Sequence, residues 1–231
     1  MSLSREPVLS TLRNRFVCGY HDIVNESYAG DSGRHKPNEA AVDTTNGAGP
    51  HNIQLFVLTA DGVVLHCLPG YWNASDLAFE LDFAERLNRI WCDHTLSREQ
   101  KNELFAKSQR NHARLHSEEM TARSKMQHFD VQVEVKKQGD TILDKVDRES
   151  LPDEKVKTTD YLLHDRMAKR PFTPYANFDV AAFSDYGSHF YDKNESNMDE
   201  DGQVLNHRAG LRTMKQGDGR PLPAPKEAAE E

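Results

Sequence analysis

The densest apolar pattern of the chain lies between Gly49 and Glu80. Ile53, Leu55, Val57 and Leu58 read as a strand, Ala60-Asp61-Gly62 as a tight turn, and Val63, Val64, Leu65, Cys67 and Leu68 as the returning strand of a hairpin. Pro69-Gly70 ends the pairing. Asn73 or Ser75 can cap the following helix, in which Leu77, Leu81, Ala84, Leu87 and Trp91 recur at helical spacing and cover one sheet face. From Thr95 to His128 large apolar residues thin out, leaving a narrow seam of Leu104, Phe105, Ala113, Leu115 and Met120 behind a Ser97/Gln100 capping box. That pattern predicts one long helix. Phe129 to Val135 then alternates apolar and polar, as a half-buried strand does.

Outside these elements the pattern fades. Val24 to Ala48 is rich in Gly, Asn, Asp and Ser and predicts a long loop. Residues 144–160 are charged, carry Pro152 and read as a linker. Between Tyr161 and Tyr191 eight aromatic residues gather around Pro171 and Pro174; such side chains anchor an irregular segment in a groove, here preferentially on the chain's own domain. From Asp192 onward Gly, Pro, Asp and Glu dominate, predicting a disordered acidic tail.

Gly49-Pro50, strand, acidic-Gly turn, strand, Gly70 and helix, preceded by REPVLSTLRNRFVCGYHD at 5–22, resemble the thioredoxin-like superfamily over residues 5–92. The resemblance implies an α/β fold: an incomplete thioredoxin-like three-layer arrangement with a mixed sheet, followed by a long helix and an extended, partly disordered C-terminal region. It implies a strand over Arg15 to Ile23 beside the hairpin and a cis Gly49–Pro50 bond. It places Cys18 and Cys67 on neighbouring strands, and it makes Gly49, Pro50 and His51 the substrate-binding edge, where an extended peptide can pair. The corresponding division is a thioredoxin-like domain at 1–94 with a loop insertion at 24–48, a helix-plus-strand extension at 95–143, a linker and aromatic docking segment at 144–191, and a tail at 192–231. The family's CxxC is missing. None of Cys18, Cys67 and Cys92 stands at the N-terminus of a first helix, where a thiol pKa is lowered.

Composition limits the partners. Of 231 residues 37% are hydrophobic and 29% charged, and the net charge of −8 disfavours nucleic acid and anionic membrane surfaces, which would repel the chain. Three cysteines, an odd number, make no disulfide framework, and no run of about 18 apolar residues or export signal appears, so a reducing, cytoplasmic setting is expected.

Of the candidate chemical groups, His112 and His116 are spaced to share one helix face near Glu119, the geometry of a metal-binding pair. Without a third ligand at a recognisable spacing the pair reads as an exposed polar face, so no metal or other cofactor is expected. Asn197 to Gly202 falls short of a calcium loop. The expected function is thus a protein- or peptide-binding module without catalytic residues. The alternative is a thiol-disulfide oxidoreductase whose CxxC lies upstream of a truncated start. An unfilled sheet edge would also favour homodimerisation.

Overall fold

The computed structural model describes residues 2–23, 25–30, 45–49, 51–126, 131, 134, 156–184, 197–198 and 204–205. Helix α1 (Val8–Arg15) leads, followed by strands β1 (Gln54–Leu58) and β2 (Val64–Pro69), helix α2 (Ala74–Cys92), α3 (Arg98–Ala113), α4 (Glu118–Arg123), α5 (Thr159–Ala168) and α6 (Val180–Ser184). The architecture mixes helices with a small antiparallel sheet. No described helix is long and apolar enough to cross a membrane.

The hairpin forms where the apolar runs place it. Leu55 faces Leu68, Phe56 faces Cys67 and Val57 faces His66, with a one-residue slip at Leu58. Gly62 closes the turn at φ +80°, its amide donating to the Thr59 carbonyl at 3.0 Å. Every residue of β2 is buried, and side chains alternate across it. On one face the His66 ring meets Phe83 of α2 edge-on at 5.7 Å. On the other, beside Cys67, Phe56 packs edge-to-face on Tyr175 and Phe178 at 5.1 and 5.6 Å.

Helix α2 is capped by Asn73, whose side chain accepts from the Ser75 amide, and α3 carries the Ser97/Gln100 box. Leu77, Leu81, Ala84 and Leu87 are buried as their spacing requires. A second row on the same helix, Asp76, Glu80 and Phe83, is buried as well. The aromatic segment docks on its own domain, with Phe172, Phe178 and Phe183 buried and Phe172 lying 4.7 Å from Phe105.

Several expectations are corrected. Arg15 ends α1 instead of opening a strand, and residues 16–23 are irregular, with Val17 and Tyr20 wholly exposed. Two ion pairs from Arg15, to Asp82 at 2.7 Å and Glu85 at 2.6 Å, tie the helix end to α2 and turn the chain away from the hairpin. Cys18 is consequently exposed and on no strand. Among the described residues the hairpin pairs with no strand from the N-terminal side. Thr173 to Tyr175 runs beside its turn end instead, through Val64 N to Thr173 O and Tyr175 N to Gly62 O, each 2.9 Å.

The single helix expected over 95–128 is broken at residues 114–117, because Ser117 caps a new helix through the Met120 amide. Within the expected strand 129–135 the described residues, Val131 and Glu134, are helical. Thr159, expected in the linker, begins α5. In the expected tail Asn197–Met198 pairs with Val204–Leu205. Residues 31–44 of the long loop and Tyr186, Phe190 and Tyr191 lie outside the described residues, as does Pro50, and with it the isomer of the Gly49–Pro50 bond.

Candidate metal centre

Burying a carboxylate is expensive unless every oxygen is compensated, and Glu80 is 0% exposed in the middle of α2. Four imidazoles surround it. His66 comes from β2, His112 from the last turn of α3, His116 from the α3–α4 connection, and His164 from α5. Nε2 of His66 lies 2.9 Å from Glu80 Oε2, Nε2 of His112 3.2 Å from Oε2, and Nε2 of His116 3.0 Å from Oε1. Nε2 of His164 stands 3.4 Å from Oε2 and 3.5 Å from Oε1.

Local sequence explains the convergence. The Ser117 cap stops α3 just past His112, and Leu115 N donates back to the His112 carbonyl at 2.8 Å, folding the connection so that His116 returns to the same centre. His112 is clamped between Phe79 and Phe83 of α2, with ring centroids at 4.7 and 3.9 Å. His164 stacks on His66 at 5.1 Å.

One ligand atom from each of Glu80, His112, His116 and His164 lies within 4.8 Å of all the others. Zinc bonds of 2.0–2.2 Å in a tetrahedron put neighbouring donors about 3.3–3.5 Å apart. The contacts between the Glu80 oxygens and these three nitrogens, 3.0–3.5 Å, already span that edge length. Nε2 of His112 and of His116, though close to the carboxylate, lack the alignment of a hydrogen bond and have no other partner. Buried nitrogens are seldom left so. A cation between them and the carboxylate satisfies all at once.

The outer nitrogens are held in the manner of metal ligands. Nδ1 of His116 is 2.6 Å from Asp160 Oδ2, and Nδ1 of His164 is 2.5 Å from Gln109 Oε1. Both acceptors fix the Nδ1–H tautomer, which aims the Nε2 lone pair inward. His112 differs, since Arg86 Nη2 approaches its Nδ1 at 3.3 Å. An ion on His112 Nε2 needs the other tautomer and a small withdrawal of Arg86.

Electrostatics follow from burial and neighbours. Burial opposes ionisation of Glu80, but the surrounding imidazoles outweigh it and hold the carboxyl well below its usual range. Burial also opposes charge on His116, yet the carboxylates of Asp160 and Glu80 prevail and raise it to about 9. For His164 burial wins and pushes it down to about 4, and it lowers His112 too. A buried anion beside imidazoles that burial disfavours charging, His112 and His164, is a set of donors for a transition-metal ion, which would take the place of the proton that His116 holds.

The paired histidines were visible in the sequence, but their partners were not. Glu119 is exposed and away from the centre, and the carboxylate is Glu80 from α2. The signal that locates it is the row Asp76, Glu80, Phe83, where an acid follows an apolar periodicity. A second is Asp160-x-x-x-His164, which puts one ligand and the hydrogen-bond partner of another, His116, on one helix.

The expected binding edge is arranged differently. Gly49 has φ +94°. His51 is 2% exposed, with its Nε2 2.7 Å from the Gly47 carbonyl, so its ring braces the 45–51 segment from within. Cys67 is fully buried, and burial drives its thiol well above the ordinary range. The chain matches no protein-family model, no curated protein and no solved structure.

Proposed function

We propose that this protein is a metalloprotein that binds one divalent transition-metal ion of the zinc type through Glu80, His112, His116 and His164. The observation that carries the reading is the approach of four buried donor atoms to within 4.8 Å of one another, two of them imidazole nitrogens with no hydrogen-bond partner. Nitrogen-rich donors with one carboxylate suit zinc, cobalt or iron better than magnesium or calcium, which select oxygen.

Its role in this reading is structural. No ligand side chain is more than 2% exposed, and closed four-ligand sites are the structural kind, whereas catalytic ones keep a position open to solvent. The ion would join α2 to the α3–α4 connection and to α5, elements far apart in sequence. The partner-binding reading of Gly49, Pro50 and His51 ranks below it because the His51 ring is turned inward.

The test is elemental analysis of the purified full-length protein after chelation and reconstitution with Zn²⁺. About one zinc per chain is expected, falling to background in the double variant Glu80→Gln, His116→Ala. Zinc below one tenth of stoichiometry in reconstituted wild-type protein would overturn the reading.

A further inference from the structure

We infer that His66 is a positioning residue that ties one oxygen of Glu80, makes that carboxylate a one-oxygen ligand and thereby fixes the centre as four-coordinate. This rests on the metal reading above.

His66 is the fourth imidazole at Glu80, yet it does not belong to the mutually close donor set. Its side chain is 0% exposed, and its Nε2 lies 2.9 Å from Oε2 in a hydrogen bond. Its other nitrogen, Nδ1, is buried without a partner among the described residues. With nothing donating to Nδ1, the favoured tautomer carries its proton on Nε2 and gives it to Oε2. Position 66 lies on a strand whose neighbours Val64, Leu65, Cys67 and Leu68 are all buried and apolar. A histidine there leaves a polar atom unsatisfied, which costs stability. The bond to Glu80 is the compensating contact, and the stack on His164 at 5.1 Å and 24° fixes the ring that makes it.

The consequence is geometric. Oε2 carries the His66 bond and also lies 3.2 Å from Nε2 of His112 and 3.4 Å from Nε2 of His164, while Oε1 faces Nε2 of His116 at 3.0 Å and Nε2 of His164 at 3.5 Å and takes no bond from His66. Oε1 is therefore the oxygen left for an ion. One oxygen and three nitrogens make a tetrahedral set, which zinc and cobalt(II) accept, whereas ions that require six ligands find too few donors. Freed from His66, Glu80 could chelate with both oxygens and raise the coordination number.

The experiment loads full-length protein with Co²⁺ and records the visible d–d bands, which are intense for tetrahedral cobalt and several-fold weaker for five-coordinate cobalt. Wild type should give the intense form. His66→Phe should retain Co²⁺ with several-fold weaker bands, and His66→Gln, whose amide N–H can replace the Nε2 donor, should restore them. A His66→Phe spectrum equal to wild type, or a five-coordinate wild type, would overturn the inference. If His66→Phe does not fold, X-ray absorption of the zinc-loaded wild type decides: one Glu oxygen at bonding distance supports it and two refute it. Wild-type protein that takes up no Co²⁺ at all removes the metal reading itself, a failure distinguishable from the others.

Discussion

Asp160 accepts from Nδ1 of His116 at 2.6 Å, and both side chains are at most 2% exposed. A carboxylate in that position raises the basicity of the ring and fixes its tautomer. Replacing Asp160 by Ala should therefore weaken Zn²⁺ binding about 10–100-fold without changing the stoichiometry. Competition titration against a chromophoric chelator measures this. Asp160→Asn keeps an acceptor oxygen and should lose less. Equal affinities for wild type and Asp160→Ala would show that the pair is unrelated to the ion.

Metal and stability should be linked. An ion that binds the folded chain at 100 times its dissociation constant adds about 2.7 kcal/mol, which for a chain of this size raises the melting temperature by about 5–10 °C. Glu80→Gln keeps the volume and removes the anion, so most of that shift should vanish. Calorimetry with and without Zn²⁺ gives both values. A Glu80→Gln protein that still gains the full shift would place the ion elsewhere.

What was legible in the sequence was local. Apolar alternation, Asp61-Gly62, Asn73 and Ser97 with Gln100 fix a hairpin and two helix starts, since each depends on neighbours along the chain. The break after Ala113 was harder, because Ser117 looks like any helical serine until its side chain is seen to accept from the Met120 amide. Arg15 to Ile23 misled for a similar reason: Phe16, Val17 and Tyr20 fit a strand, but Arg15 is held by Asp82 and Glu85, charges 67 and 70 positions away. The centre was legible only as the His112/His116 pair. Its remaining donors, Glu80 and His164, lie on other helices, and no single-residue spacing encodes the packing that joins them.

Asp76, which is buried, and Arg123, which is half-buried, form a second anchor, with Arg123 Nε and Nη2 donating to the carboxylate at 2.8 and 2.6 Å and Asn46 Nδ2 adding a bond at 2.6 Å. Burial works against the Asp76 charge, but these donors outweigh it and lower its pKa. A carboxyl lowered on folding adds stability above the unfolded value, near 3.9 for Asp, and loses it as pH falls through the folded one. Asp76→Asn should cost about 1–3 kcal/mol at neutral pH and flatten the loss of stability in that acid range. Urea unfolding of both proteins from neutral pH down to pH 3 checks this; parallel curves would refute it.

Gly70 is required by both conformation and space. Its φ is +72°, and a Cβ there would stand 2.3 Å from the Ala48 carbonyl oxygen. That carbonyl also receives the Tyr71 amide at 3.3 Å, so the 45–51 segment cannot simply move off. Gly70→Ala should destabilise by about 2–4 kcal/mol, read as a lower urea midpoint at unchanged slope. A midpoint within error of wild type would mean the two segments do not pack as described.

The three thiols should separate by reactivity. Cys67 is 0% exposed on β2, and its pKa is driven well up by burial, so it carries almost no thiolate at neutral pH. Cys18 and Cys92 are exposed. Folded protein treated with a thiol-specific disulfide reagent should therefore release two equivalents quickly and the third only in denaturant. Mass mapping should place the slow one at Cys67. The same experiment bears on the redox alternative, because a working thiol must be reached by its substrate as the thiolate. Fast modification of Cys67 in folded protein would reopen that alternative and contradict the packing of Phe56, Tyr175 and Phe178 beside it.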